Sequence, residues 1–164
     1  MNINKILIGI DDSKYADHAA QYGFELGRKF GAAIGIVTII EPIPAAVTPM
    51  TDTTFGLPFE GAGAMADPEL INTQDKAANT LLERIVAKYK TGDEQITQFT
   101  DYGASADGIV NCAAQFGADV IVIGTHRRSG FDRLLMGSVA EEVVRHSPIP
   151  VWVVPFHEEE KEGE

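Results

Sequence analysis

Short runs of β-branched and other apolar residues alternate along this chain with longer stretches whose apolar positions recur at helical spacing. The runs are Lys5 to Ile10, Ile34 to Ile40, Gln95 to Asp101, Val120 to Gly124 and Pro150 to Val154. Between the first two, Ala16, Ala19, Ala20, Gly23, Phe24 and Gly27 share one helical face, small enough to let a helix lie close on a sheet. Ala78, Leu81, Leu82, Ile85 and Tyr89 repeat the helical spacing before the third run, as do Ala106, Ile109, Val110 and Ala113 before the fourth. A last helix runs from Ser138 to about His146, where Ser147-Pro148 stops it. Strand and helix in strict alternation predict an α/β domain: an open five-stranded parallel sheet wrapped by helices.

One stretch breaks the alternation. Residues 42–68 hold Pro42, Pro44, Pro49 and Pro58 with Gly56, Gly61 and Gly63 and show no period, so they read as a long surface loop following the second strand. At 164 residues the chain has the length of a single domain, taken as residues 1–156, with 157–164 an acidic tail reading HEEEKEGE. The formal net charge of -11 disfavours nucleic acid or an anionic membrane surface as a partner. Cys112 is the only cysteine, so there is neither an internal disulfide nor a multi-cysteine metal site, and its apolar helical setting makes it a buried structural thiol. Neither a signal peptide nor an apolar run of membrane-spanning length is present, which points to the cytoplasm.

Chemistry in an open parallel sheet gathers beyond the carboxyl ends of the strands. After the first strand come Gly9-Ile10-Asp11-Asp12-Ser13, whose two carboxylates and hydroxyl could hold a ribose, a divalent cation or a polar head group. The simpler reading is that Asp12 or Ser13 caps the first helix. After the fourth strand, the segment from Gly124 to Ser138 carries glycines at the strand exit and the helix entry, together with Arg127, Arg128 and Arg133. Backbone N–H groups, a helix amino terminus and local positive charge make a phosphate cradle. Ser138-Val139-Ala140-Glu141 also fits the capping-box pattern, and His126 reads as a loop hydrogen-bonding residue rather than a general base.

These residues carry a resemblance to the universal stress protein family, whose nucleotide-binding members have G-x2-G-x9-G-[ST] at this place. Gly124, Gly137 and Ser138 fit the pattern, while Arg127 stands where the second glycine belongs. The opening ILIGIDDS, the turn Asp101-Tyr102-Gly103 and the closing HSPIPVWVV are similar too, so the likeness runs from Lys5 to Pro155. The resemblance implies a Rossmann-like sheet of strand order 3-2-1-4-5 with helices on both faces, and ATP, with Mg2+ optional, across the first and fourth strands. By position, Gly9, Ile10 and Asp11 would line the ribose and adenine side, with Ile39 against the base. Gly124, His126, Arg127, Arg128 and Gly130 would follow the phosphates, completed by Gly137, Ser138 and Val139. Any metal would be reached by Asp11 through Mg-ATP. The resemblance further implies a homodimer through the last strand, with Val151, Trp152, Val153 and Val154 at its interface.

Arg127 bears on whether ATP binds at all: it either obstructs the phosphates or lends them a cation. A member of the family without nucleotide, acting as a dimeric interaction protein, is the alternative. A slow ATP hydrolase, with Asp11 or Asp12 holding magnesium, ranks below binding, because no G-x4-G-K-[ST] loop and no water-orienting residue is visible. A phosphorylatable receiver is mimicked by Asp11, Asp12, Asp101 and Thr125, but no lysine follows the last strand.

Overall fold

A computed structural model of the chain describes residues 2–42, 68–126 and 137–156, with the backbone alone of His126. The elements follow in the order β1 (Lys5–Gly9), α1 (Lys14–Phe30), β2 (Ala33–Ile40), α2 (Pro68–Tyr89), β3 (Ile96–Tyr102), α3 (Ser105–Phe116), β4 (Val120–His126), α4 (Ser138–His146) and β5 (Val151–Phe156). The strands form one sheet of order β3-β2-β1-β4-β5, and every pairing is parallel. This is the α/β class expected from the alternation of strands and helices, and the strand order that the family resemblance implies.

Side chains alternate across a sheet, and here both faces are covered, so both parities are apolar. Ile6, Ile8, Ile34, Ile36, Val120, Val122 and Val154 point to one face, where α1 and α2 bring Ala19, Ala20, Phe24, Leu82 and Ile85. Leu7, Val37, Ile121 and Ile123 point to the other, against Ala106, Ile109, Cys112, Ala113, Ala140 and Val143 of α3 and α4. The small face of α1 has the predicted use: a Cβ at Gly23 would stand 2.4 Å from Ile8 Cδ1, and one at Gly27 2.5 Å from Ile34 Cδ1. Burial pushes the Cys112 thiol up to about 11, with the charge of Asp101 adding to it, which suits a packed thiol rather than a nucleophile.

Element boundaries differ from expectation where burial gives out. β4 continues past Gly124 to His126 and β5 past Val154 to Phe156, because the parallel register carries on through Thr125 with Pro155 and His126 with Phe156. Pro68, assigned to the loop, opens α2 as a first-turn proline, a place that needs no amide donor. Residues 43–67 of the expected loop and the acidic tail lie outside the described residues.

Helices α1 and α2 are clamped where Lys88 Nζ and the Tyr89 hydroxyl both donate to Asp17 Oδ2, at 2.6 and 2.9 Å. Burial alone would raise the Asp17 carboxyl, but these two donors outweigh it and hold the group below the usual carboxylate range. At the opposite end of the sheet, Asp119 accepts from the amides of Asn4 and Lys5 at 2.7 and 3.0 Å, fixing the start of β1 beside β4.

Candidate functional site

Strand order reverses between β1 and β4: the chain builds outward from β1 through β2 to β3, then crosses back to lay down β4 and β5. The connections beyond the carboxyl ends of these two strands therefore leave in opposite directions and open a crevice. A cleft of about 290 Å³ lies there.

Its floor is made by the strand ends. Gly9 closes β1, and Ile10 extends the pairing by donating its amide to Val37 O at 2.8 Å. Asp11 then turns the chain, accepting from the Ser13 amide on Oδ1 at 2.9 Å. Ser13 is the N-cap of α1, its hydroxyl accepting from the Ala16 amide at 3.1 Å. The two neighbouring acids separate: Asp11 stays in the cleft wall, whereas Asp12 reaches outward to Arg84 of α2 at 2.6 Å. Their charge would otherwise gather at one point, and Arg84 draws one of them away.

The apolar wall comes from Val37 and Ile39 of β2, Ile109 of α3 and Ile123 of β4. Ile39 leans over Gly108, where a Cβ would come within 2.6 Å of its Cδ1, so a glycine on α3 makes room for it. Gly124 has a duty to the fold as well as a place in the wall. A Cβ there would lie 2.3 Å from Tyr15 O and 2.6 Å from Tyr15 C, so the first turn of α1 rests on its bare backbone.

The far side of the cleft is the amino terminus of α4. Gly137, not Ser138, is the N-cap; it has extended backbone angles (φ -54, ψ 147), and no side-chain cap is made. The expected capping box is thus out of register by one residue, and Glu141 pairs instead with Arg145 at 2.7 Å. Ser138 begins the helix proper, with its hydroxyl and the first-turn amides left to the cleft that Ser138, Val139 and Ala140 line. The Gly137 amide donates to Thr125 Oγ1 at 3.2 Å, tying the helix start to the end of β4. Among the described residues, a Cβ on Gly137 would meet nothing nearer than that oxygen at 3.9 Å.

Gly9, Ile10, Asp11 and Ile39 thus meet Gly124, Gly137, Ser138 and Val139 around one space. His126 contributes its backbone to the end of β4; Arg127, Arg128 and Gly130 lie outside the described residues. The walls also include Tyr15, Ser105 and Thr125, which sequence reasoning did not place there. A serine at a helix start and a threonine at a strand end carry too little signal alone; only the topology brings them to the same cleft.

Strand order also removes the receiver reading. Asp101 lies opposite Ile39 on β3, at the sheet edge, with β2 between it and β1. It is therefore two strand spacings, roughly 10 Å, from the Asp11 strand rather than beside it. Among the described residues no group of three or more His, Cys, Asp or Glu side chains is placed to hold a metal ion, and no helix is long and apolar enough to cross a membrane.

Residues 2–155 match the model of the universal stress protein family. A universal stress protein of Methanocaldococcus jannaschii is 30% identical over 150 residues, spanning 92% of this chain and 81% of that protein. Among solved structures, a universal stress protein in complex with cAMP superposes with a TM-score of 0.66 at 18% identity, covering 94% of this chain and 98% of that one. The universal stress protein of Archaeoglobus fulgidus in complex with dAMP gives a TM-score of 0.59 at 20% identity, covering 93% and 98%. At these identities the likeness to both structures is one of fold.

Proposed function

We propose that this chain, which belongs to the universal stress protein family, binds an adenine nucleotide, ATP first among them, and acts in the cytoplasm as a dimeric binding module whose state reports the nucleotide. The observation that carries the reading is the cleft itself, which sets three different environments side by side. Val37, Ile39, Ile109 and Ile123 form an apolar slot suited to the faces of a purine. Asp11, an acceptor with one oxygen already oriented by the Ser13 amide, suits ribose hydroxyls. The uncapped first turn of α4, beside the open space at Gly137, suits phosphate oxygens. Support comes also from the two relatives of the same fold whose structures hold cAMP and dAMP.

The apolar slot has to do much of the binding. A helix dipole contributes about 0.3–1 kcal/mol to an exposed anion, whereas micromolar affinity requires about 8 kcal/mol. The chain's net charge of -11 opposes a polyanion at long range, so local donors and any magnesium brought with the phosphates must offset it. Asp11 is the carboxylate that the described cleft wall offers to such an ion. Calorimetric titration of the full chain with ATP tests the proposal. Heat of binding and a rise in Tm are expected; no heat at millimolar ATP would leave an interaction protein without nucleotide in its place.

Assembly belongs to the same proposal. β5 closes one edge of the sheet and pairs only with β4 among the described strands. Val151 and Val153 pack inward against the α3 and α4 side and Val154 is buried, but Trp152 is 45% exposed on the edge strand. A bare apolar edge invites pairing, and a two-fold axis satisfies it in a closed way. Light scattering at micromolar concentration is expected to give the mass of a dimer; the mass of one chain would refute the arrangement.

A further inference from the structure

One residue of the cleft wall, Ser105, belongs to a hydrogen-bonded pair whose polarity is fixed. Ser105 opens α3 and lines the cleft; Ile109, one turn along the same helix face, lines it too. Glu41 stands just beyond the end of β2, the strand that supplies Val37 and Ile39 to the apolar wall. The Ser105 hydroxyl donates to Glu41 Oε1 at 2.6 Å, bridging positions separated by 64 in sequence.

A serine hydroxyl has one proton and two lone pairs. With that proton committed to Glu41, Ser105 has only lone pairs left to present to the cleft, and the carboxylate beside it is likewise acceptor-only. Among the described residues, Ser105 and Glu41 therefore make a rim that accepts hydrogen bonds and has no side-chain proton to give. We propose that Ser105, held as an acceptor by Glu41, selects a base carrying an amino group over one carrying a carbonyl at the same position: a 6-aminopurine over a 6-oxopurine. The inference rests on the nucleotide reading above. A carbonyl brought against this rim meets lone pairs instead of a donor and loses its water without replacement, which is the situation in which a polar site discriminates strongly. In this scheme Ser105 touches the base, and Glu41 is a positioning residue acting through it.

The test is calorimetric titration of the full chain with ATP and with ITP, whose base carries a 6-oxo group. The wild type is expected to favour ATP by about tenfold or more. Ser105→Ala should bring the two together by weakening ATP while leaving ITP nearly unchanged. Glu41→Ala should bring them together from the other side: the freed hydroxyl can donate, so ITP tightens. If Glu41 merely supported the start of α3, its removal would weaken both nucleotides alike and keep their ratio, which overturns the proposal. Equal affinities for ATP and ITP in the wild type overturn it as well, and leave nucleotide binding standing. Heat from neither nucleotide removes the nucleotide reading and this inference with it.

Discussion

Replacing Gly137 with arginine is expected to abolish ATP binding and leave the fold unchanged. The backbone at this position, φ -54 and ψ 147, is open to any residue, so no conformational strain follows from adding a side chain. Among the described residues a Cβ meets only Thr125 Oγ1, at an ordinary 3.9 Å, and the position is exposed. As an N-cap, glycine gives up no side-chain hydrogen bond when replaced. What the arginine does take is space: the cleft is about 290 Å³, and a long side chain rooted on its rim fills the approach to the first turn of α4. Calorimetry should show no heat with ATP, while circular dichroism and Tm stay within error of the wild type. Gly137→Ala, as the milder change, should lower affinity only modestly. Wild-type affinity in the arginine variant would show that phosphates do not approach the protein here.

Gly124→Ala should have the opposite character, lowering the stability of the fold itself. Its added Cβ would sit 2.3 Å from one backbone atom of Tyr15, 2.6 Å from another and 3.0 Å from the amide nitrogen of Ala16. These are main-chain atoms in the first turn of a helix and cannot rotate away, so α1 must lift off β4. Overpacking of this kind costs about 3 kcal/mol or more, which for a chain of this length lowers Tm by roughly 6–12 °C. Thermal denaturation followed by circular dichroism reads it directly. A variant with unchanged Tm would mean that α1 does not lie on Gly124. The two glycines belong to the same sequence motif, yet helix packing demands one of them, while the other has room for a side chain among the described residues.

That distinction could not be drawn from the sequence. A glycine announces a position where a side chain is unwelcome, without saying whether the intruder would be a helix or a ligand. The fold was more legible. Consecutive apolar residues such as Ile6, Leu7 and Ile8 fall alternately into the two buried layers, and each strand expected from them forms. The helical period gave the buried half of α2 through Ala78, Leu82 and Ile85 but was silent on its beginning, because the residues from Pro68 onward are largely exposed and carry no apolar stripe. At the site, Asp11 stays in the cleft wall while its neighbour Asp12 pairs with Arg84, a residue distant in sequence. Ser138 and Glu141 have capping-box spacing, but the helix starts one residue too early for it, with Gly137 tethered to Thr125. Ser105 was invisible for a related reason: its partner, Glu41, lies across a crossover that no local pattern reports.

The parallel order of the sheet also governs how the molecule comes to exist. β1 is made before both strands it pairs with, and its pairing with β2 can form once α1 has been synthesised. Its other edge waits for β4, and the Asp119 carboxylate that secures the start of β1 is 115 residues away along the chain. A half-built molecule of β1, α1, β2, α2 and β3 would therefore hold the strand destined for the centre of the sheet at an unpaired margin, with Leu7 still lacking the cover that α3 and α4 bring. Contacts of such long range close slowly, because the entropy of joining distant segments is lost before the contacts reward it. Until β4 arrives, the central strand behaves as an edge and offers its free hydrogen-bonding groups to any other chain within reach.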